Sequence, residues 1–339
     1  MKPLQIHHGG NLLQAAEFWS VPLADWLDLS TAISPFSYPL ASPPSAVWQR
    51  LPYLNPEFVE AACSYYGCKC LLPVAGSQQA IELLPGLLKA ERVAVPALGY
   101  SEHEIQWQAA GATLCRYHDI HQLEALITQG ELQVAVVINP NNPTGDVFPR
   151  ERMLRLAALA AAHKTRLIVD EAFADATPEI SLTGSCPENV IVLRSLGKFF
   201  GLGGVRVGFI VAEESQLSQW ADAVGPWEIT GPSQWAAQQA LQDSRWQAEQ
   251  RQRLQQVSAQ LSQLLQTRFP QATVVKQPLF CSLYLPQTTG PAIFEQLARK
   301  GILVRLFTPS HAYSLVRFGL LSSSSAFTRL AEALASCRF

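Results

Sequence analysis

Residues 134–145 read Val-Ala-Val-Val-Ile-Asn-Pro-Asn-Asn-Pro-Thr-Gly, an apolar run that passes directly into a turn rich in asparagine and proline. A continuous run of this kind is typical of a strand that is covered on both faces. The cluster of proline, asparagine and glycine predicts a tight turn. Turn composition does not explain the asparagines, and a side-chain amide can donate a hydrogen bond to a ligand. The asparagines of this turn are therefore candidate ligand-binding residues.

Similar apolar runs alternate with helix-length stretches, such as Gln78–Lys89 and Arg150–His163, through the central two-thirds of the chain. This alternation favours an α/β fold with a doubly wound, mostly parallel sheet. Ligands of such sheets collect outside the carboxyl ends of the strands. The predicted strands are Arg92–Pro96, Thr113–Tyr117, Val134–Asn139, Arg166–Asp170, Asn189–Leu193 and Val205–Val211.

The predicted secondary structure changes towards the C-terminus of the chain. After Gly231-Pro232, a Gln- and Leu-rich stretch to about Thr267 predicts a connecting helix. Short predicted strands then alternate with helices, which indicates a smaller α+β domain. These strands are Cys281–Leu285, Ile302–Arg305 and Ser314–Phe318. The predicted division is an N-terminal arm that forms part of the small domain (1–45), a large domain with the connecting helix (46–267) and the C-terminal small domain (268–339).

Composition excludes several classes of function. Of the 339 residues 48% are hydrophobic and 15% are charged, and the net charge is −2, so no basic field exists for nucleic acid or an anionic membrane. Neither a signal peptide nor a membrane span is visible, and we expect a cytoplasmic protein. The densest cysteine group, Cys63, Cys68 and Cys70, lacks a second pair at zinc-finger spacing, and we predict no metal site.

Asp170 ends a predicted buried strand in Val169-Asp170-Glu171-Ala172-Phe173. Burying an unpaired carboxylate costs roughly 5 kcal/mol, so a carboxylate at this position needs a partner. A protonated ring nitrogen of a cofactor would be such a partner. The alternative is that Asp170 caps a following helix.

Lys198 follows another predicted strand, in Ser195-Leu196-Gly197-Lys198, before a glycine-rich run that contains Arg206 and ends at Gly208. By itself such a lysine is more often a surface residue than a nucleophile. The run is neither a Walker loop nor a dinucleotide fingerprint. Ser195 and Arg206 flank the lysine and could bind a phosphate.

Gly76-Ser77-Gln78 opens a predicted helix whose N–H groups and positive dipole end suit an anion such as a phosphate. As a lone feature it is an ordinary helix start. Together with the preceding motifs and with Val316-Arg317-Phe318-Gly319, it resembles the pyridoxal-5′-phosphate (PLP) enzymes of fold type I, the class I/II aminotransferases. The motifs span residues 76–319, nearly the whole chain, and the combination is specific. The resemblance implies an aspartate-aminotransferase-like fold.

The resemblance also implies roles for individual residues. Lys198 would carry PLP covalently, Asp170 would pair with the pyridine nitrogen, and Asn142 would lie near the ring oxygen O3′. Arg317 would bind the substrate carboxylate. The phosphate ligands would be Ser77, Gln78, Ser195 and Arg206.

Further positions follow from the same resemblance. Tyr53 resembles the tyrosine that reaches the phosphate of a neighbouring subunit's cofactor, which implies a homodimer with shared active sites. His103, in preference to Tyr100, would stack on the ring. Phe173 stands where many relatives have a tyrosine whose hydroxyl bonds O3′, so the bound cofactor is expected to titrate at a different pH.

Three further stretches are His8-Gly9-Gly10-Asn11, Leu27-Asp28-Leu29-Ser30 and Gly225-Pro226-Trp227. They resemble one subfamily, the L-threonine-O-3-phosphate decarboxylases of cobalamin synthesis. Ala32 and Ser34 depart from the usual glycine and asparagine near the expected carboxylate end of the site. Ala32 nevertheless counts among the expected substrate-binding residues.

This resemblance implies decarboxylation of L-threonine O-3-phosphate, a phosphorylated amino acid, to (R)-1-amino-2-propanol O-2-phosphate and CO₂. His8 and Asn11 are predicted to bind the substrate phosphate. His8 could instead be no more than a partly ordered terminal residue. The runner-up is an aminotransferase, such as histidinol-phosphate aminotransferase, and a third possibility is a non-catalytic regulator of the same fold. Intact Lys198, Asp170, Asn142 and Arg206 speak against the third.

Overall fold

The structure, a computed structural model, describes residues 9–338. The helices are α1 (Leu12–Trp19), α2 (Ala46–Gln49), α3 (Pro56–Tyr66), α4 (Ser77–Leu88), α5 (Ser101–Ala109), α6 (Ile120–Thr128), α7 (Arg150–Ala162), α8 (Glu214–Val224), α9 (Gly231–Gln242), α10 (Ser244–Arg268), α11 (Thr289–Ala298) and α12 (Ser324–Ala335). The strands are β1 (Leu27–Asp28), β2 (Leu72–Val74), β3 (Arg92–Pro96), β4 (Thr113–Tyr117), β5 (Val134–Ile138), β6 (Arg166–Asp170), β7 (Val190–Ser195), β8 (Gly208–Val211), β9 (Thr273–Gln277), β10 (Phe280–Pro286), β11 (Ile302–Leu303), β12 (Arg305–Phe307) and β13 (Tyr313–Gly319).

The described chain divides into two compact units. The first comprises the described residues up to Phe36, Pro143–Gly145 and the residues from Glu249 on, and the second comprises Ser37–Asn142 and Asp146–Ala248. The boundary therefore falls near the start of α10, whereas we predicted it after the connecting helix. Burial gives the reason, because the later part of α10 buries Leu254 and Leu261, and its Ser258 carbonyl accepts a bond from Cys281 of β10.

The second unit is built on a sheet that, in the described part of the chain, has seven strands in the order β2-β8-β7-β6-β5-β3-β4. Strands β4, β3, β5, β6 and β7 run parallel, while β8 is antiparallel to both of its neighbours, β7 and β2. Every residue of β5 and β7 is buried, as expected where both faces of a sheet are covered. This arrangement confirms the predicted α/β fold with a mostly parallel sheet.

Two segments differ from the prediction. Strand β8 begins at Gly208, not at Val205, because Gly203–Val205 forms a 3₁₀ turn and Arg206 is left-handed with φ of 56°. The predicted connecting helix is in fact α9 and α10. Asp243 separates them, and its carboxylate accepts a bond of 2.9 Å from the backbone of Trp246, which starts the second helix.

The first unit contains the antiparallel sheet β12-β13-β10-β9 and the parallel pair β1-β11, among its described residues. In that pair Leu27 lies opposite Ile302, so the N-terminal segment packs with the C-terminal strands. A small core of Ala15, Trp26, Ala298 and Leu303 joins α1 to α11. Over residues 9–338 no helix combines the length and apolarity that crossing a bilayer requires.

Candidate active site

An anion-binding arrangement lies at the N-terminus of α4. Gly76, with φ of 80°, precedes the helix and has no side chain with which to cap the N–H groups of Ser77 and Gln78. The Arg206 guanidinium lies against Gly76: a Cβ there would be 2.4 Å from its nitrogen. Gly208 packs equally closely on the Ser77 nitrogen. Helix dipole, unsatisfied N–H groups and a cation therefore meet at one point, which suits a phosphate.

Tyr100 connects this arrangement with the neighbouring polar residues. Its hydroxyl donates to Oε1 of Gln78 at 2.9 Å, and the amide of Gln78 donates to Glu102 at 3.0 Å. Burial, with the charges of Glu102 and Asp170, raises the pKa of Tyr100 to about 12, while Arg206 acts in the opposite sense. The phenol is therefore within electrostatic reach of both Asp170 and Arg206.

Asp170 is buried at the carboxyl end of β6, as predicted. Its Oδ2 lies 2.9 Å from Nε2 of His103, and its Oδ1 accepts a bond of 3.0 Å from the Ala172 backbone. His103 is itself buried on α5. The sequence had suggested that His103 stacks on the cofactor ring, and this stacking remains a prediction; the hydrogen bond to Asp170 was not foreseen.

Lys198 lies three residues beyond Ser195, the last residue of β7. Its Nζ is 5.6 Å from the centre of the Phe173 ring. Phe173 lies just beyond Asp170, the last residue of β6, and β6 is the parallel neighbour of β7. Ser195 is buried, and its Oγ accepts a bond of 3.4 Å from the Gly197 backbone. The folding of β6 and β7 side by side thus brings the predicted acid, lysine and serine to one edge of the sheet.

The turn after β5 is held by its own asparagines. Asn139 exchanges two bonds with the Phe148 backbone, at 2.9 and 3.0 Å, and Asn141 donates to the Leu98 carbonyl at 2.9 Å. Asn142, the candidate ligand, is half-buried next to them. Part of the asparagine richness is therefore explained by turn structure, which the sequence did not distinguish from ligand binding.

Tyr53, another predicted site residue, lies open to solvent, with 73% of its surface exposed. Its ring packs edge-on against Trp227, which is also exposed, at 6.2 Å between centroids. Trp48, Leu51 and Leu54 are exposed as well.

In the first unit, Arg317 is buried on β13, and its guanidinium donates to the Ser30 carbonyl. Burial lowers the pKa of Arg317 to about 9, with Arg305 adding to the effect and Asp28 opposing it. Arg305 lies directly opposite on β12. Arg305 lies in no recognisable sequence motif, and strand register places it beside Arg317.

The glycines of the N-terminal motif have a structural reason. A Cβ on Gly9 would lie 2.3 Å from the carbonyl oxygen of Ser30, the group that accepts from Arg317. Gly10, with φ of 88°, donates its N–H to Oγ of Ser30 at 2.8 Å. The residue before Gly9 is the predicted phosphate ligand His8, which lies outside the described residues.

The other N-terminal candidates have clear structural roles. Asn11 caps α1 through a bond of 3.1 Å from the Gln14 backbone, and Ala32 is buried. Ser34, one of the departures from the subfamily pattern, is also buried, and its hydroxyl accepts a bond of 2.8 Å from Gln250. Substrate contacts by Asn11 and Ala32 remain predictions.

The cysteines are free thiols. Burial raises the pKa of Cys68 to about 12, which disfavours the thiolate that a metal requires. Within residues 9–338 no group of three or more His, Cys, Asp or Glu side chains is placed to hold a metal ion.

Residues 49–334 match the family pattern described as aminotransferase class I and II. A threonine-phosphate decarboxylase from Pseudomonas aeruginosa is 41% identical over 97% of each chain. The chain belongs to the aminotransferase class I and II family.

More distant members of this aminotransferase family are similar over less sequence or in fold alone. A histidinol-phosphate aminotransferase from Desulfitobacterium hafniense is 27% identical over 74% of this chain and 72% of its own. The structure of histidinol-phosphate aminotransferase from Sinorhizobium meliloti in complex with pyridoxal-5′-phosphate superposes with a TM-score of 0.80, at 18% identity, over 99% of this chain and 97% of that one. This similarity shows the fold, and it confirms the predicted aminotransferase-like architecture.

The second unit's residues match the chemistry of the cofactor that the aminotransferase resemblance implies. PLP needs an anion site for its phosphate, an acid for its ring nitrogen and an amine for its aldehyde. The N-terminus of α4 with Arg206 is such an anion site, Asp170 is a buried carboxylate, and Lys198 is a half-buried amine.

Proposed function

We propose that this chain is a PLP-dependent decarboxylase that converts L-threonine O-3-phosphate into (R)-1-amino-2-propanol O-2-phosphate and CO₂, a step of cobalamin biosynthesis. The 41% identity with the Pseudomonas aeruginosa threonine-phosphate decarboxylase, over 97% of both chains, is the observation that carries this proposal. The similarity to histidinol-phosphate aminotransferases covers less of the chain at lower identity.

In this proposal Ser77, Gln78, Ser195 and Arg206 hold the cofactor phosphate. Asp170 pairs with the ring nitrogen, Asn142 donates to O3′, and Lys198 holds the aldehyde carbon. When bound, PLP supplies an electron sink for the electron pair of a bond that breaks at the substrate α-carbon.

His103 keeps the Asp170 carboxylate oriented through its bond of 2.9 Å. Because this bond commits the His103 ring to the carboxylate that pairs with the ring nitrogen, we assign the stacking position to Tyr100, whose hydroxyl bonds Gln78, a proposed phosphate ligand. This assignment reverses our preference from the sequence.

The substrate carries two anionic groups, and the first unit has cationic residues suited to them. Arg317 binds the carboxylate, which orients the bond that breaks, and Arg305 adds a second guanidinium opposite it. His8 and Asn11 bind the substrate phosphate. The close packing of Gly9 on Ser30, the carbonyl partner of Arg317, supports this role for the preceding residue.

Lys198 is the proton donor in this scheme. After CO₂ leaves, the α-carbon needs one proton to give the amine product, and Nζ of Lys198, in its ammonium form, would deliver it. The Phe173 ring beside Nζ excludes water from one side of the lysine.

We further propose a cytoplasmic homodimer with shared active sites that acts on a small molecule and not on nucleic acid or a membrane. Tyr53 and Trp227, both exposed, form an aromatic pair suited to a subunit interface. In this arrangement Tyr53 reaches the cofactor phosphate of the partner subunit.

The second candidate function is aminotransfer, supported by the histidinol-phosphate aminotransferase relative. Product analysis distinguishes the two reactions. The PLP-loaded protein is incubated with L-threonine O-3-phosphate, with and without 2-oxoglutarate. We expect CO₂ and aminopropanol phosphate without any keto acid. Glutamate formed from histidinol phosphate and 2-oxoglutarate, with no CO₂ from threonine phosphate, would replace the decarboxylase by the aminotransferase.

A further inference from the structure

A buried ion network lies among residues that the cofactor site does not use. The Arg194 guanidinium donates to Oε2 of Glu171 at 2.6 Å and to Oδ1 of Asp175 at 2.5 Å. The exposed fraction of the side chain is 2% for Arg194 and 0% for each carboxylate. Salt and solvent screen ion pairs at this depth much less than exposed pairs.

The members of this network are the chain neighbours of cofactor-site residues. Glu171 directly follows Asp170, and Arg194 directly precedes Ser195. Strands β6 and β7 are parallel neighbours, and the Glu171 N–H donates to the Leu193 carbonyl at 2.9 Å. Because successive side chains of a strand point to opposite faces, the network lies on the face away from Asp170 and Ser195.

Other groups enclose the two charged partners. Glu171 accepts a bond of 2.8 Å from the Leu182 backbone and another from the Ser181 hydroxyl. The guanidinium carbon of Arg194 lies 4.7 Å from the centre of the Tyr66 ring. Burial raises the pKa of Glu171, while Arg194 acts in the opposite sense and favours the ionised form.

We propose that Arg194 is a positioning residue for the cofactor: through Glu171 and Asp175 it fixes the segment that carries Asp170 relative to the strand end that carries Ser195 and Lys198. The inference rests on the proposed PLP function. Arg194 acts through these residues and does not touch the cofactor itself. The position of Asp170 relative to Lys198 is then set by an ion network on the reverse face of the sheet.

The test measures PLP affinity of the folded apoprotein, by titration of the absorbance of bound cofactor. For Arg194→Met we expect the dissociation constant to rise by about tenfold or more, as for groups that orient the ligands of a bound group. Arg194→Lys should recover part of the affinity, because it restores one ion pair.

The matched control is Leu123→Ala, a buried residue of α6, which packs on β4 and α7. It destabilises the same unit away from the network, so its PLP affinity should stay within about twofold of wild type. Equal PLP affinity of Arg194→Met and Leu123→Ala would reduce Arg194 to a purely structural residue and overturn the inference.

If Arg194→Met fails to fold, Asp175→Asn offers a second test, because it removes one ion pair at nearly constant volume. We expect it to raise the PLP dissociation constant by a smaller factor than Arg194→Met. Unchanged PLP affinity in Asp175→Asn and Glu171→Gln would also overturn the inference while leaving the proposed function intact. Failure of the wild-type protein to bind PLP would overturn both.

Discussion

Arg305 and Arg317 lie directly opposite each other on the antiparallel strands β12 and β13. Side chains of such cross-strand pairs share one face of the sheet, and like charges placed there repel. Arg317 is also buried, and its lowered pKa has burial as its largest cause and Arg305 as the next. An anion that binds between the two guanidinium groups would offset this repulsion and stabilise the folded protein.

Inorganic phosphate added to the PLP-loaded protein should raise its thermal unfolding midpoint, because binding at a hundredfold excess over the dissociation constant adds about 2.7 kcal/mol to the free energy of unfolding. Arg305→Gln should remove most of this stabilisation without destabilising the phosphate-free protein, since it also removes the repulsion. Calorimetry checks both effects against potassium chloride at equal ionic strength. A phosphate response that survives Arg305→Gln would locate the anion elsewhere.

Arg317→Ala should weaken binding of L-threonine O-3-phosphate by about 2–5 kcal/mol, because the substrate carboxylate loses its buried partner. Spectrophotometric titration of the PLP-loaded variant measures the affinity. The control is Arg299→Ala, which removes an exposed ion pair with Glu295 and should change affinity little. Wild-type affinity in Arg317→Ala would mean that another residue binds the carboxylate.

Gly9→Ala should raise the substrate KM, because its Cβ would meet the Ser30 carbonyl at 2.3 Å and push the N-terminal segment away from Arg317. Gly86→Ala is the matched control. No atom lies within 4 Å of its Cβ, and an alanine inside α4 should stabilise the protein by about 0.5–1 kcal/mol. Steady-state kinetics of both variants measure the KM for L-threonine O-3-phosphate. An unchanged KM in Gly9→Ala would mean that this segment does not contribute to substrate binding.

Lys198→Ala should abolish turnover and the visible absorbance of lysine-bound PLP, since no other amine is proposed to hold the cofactor. The exposed Lys276 on β9 provides the control, and Lys276→Ala should keep both properties. Absorbance spectra after addition of PLP and a CO₂ release assay test the prediction. Residual decarboxylation in Lys198→Ala would refute the proposed attachment.

Phe173→Tyr places a hydroxyl on the ring that lies beside Nζ of Lys198. If the hydroxyl donates to O3′ of the cofactor, it stabilises the deprotonated state, and the pH midpoint of the absorbance change should fall by about one unit, since a hydrogen bond to a charged group is worth about 1.5–3 kcal/mol. A pH titration of the spectrum measures the midpoint. An unchanged midpoint would mean that the hydroxyl does not reach O3′.

The strands of the second unit could be predicted closely because they are buried on both faces. Strand β6 begins and ends where its apolar run predicts, at Arg166 and Asp170. Strand β2, with three residues, was missed because so short a run does not stand out from the flanking residues. The break at Asp243 was missed because one capping side chain decides it.

The candidate-site residues that lie in short sequence motifs could be predicted. Asp170, Lys198 and Arg206 each follow a recognisable local pattern. Arg305 and Arg194 were missed because their partners are set by strand register and burial, which a single sequence does not display. The same limit applies to His103, whose partner Asp170 is far away along the chain.

The pairing of β1 with β11 has a consequence for the order of folding. Leu27 is synthesised long before Ile302, its partner across the strands, so the N-terminal segment must wait for the ribosome to complete almost the whole chain. The loop that closes when the two strands pair is among the longest the chain can make, and its closure is entropically costly and slow. Residues 37–248, which include Lys198 and the anion-binding N-terminus of α4, can meanwhile form the seven-stranded sheet. The unit that contains Lys198 and the N-terminus of α4 can therefore fold on the nascent chain before strands β12 and β13, which carry Arg305 and Arg317, are synthesised.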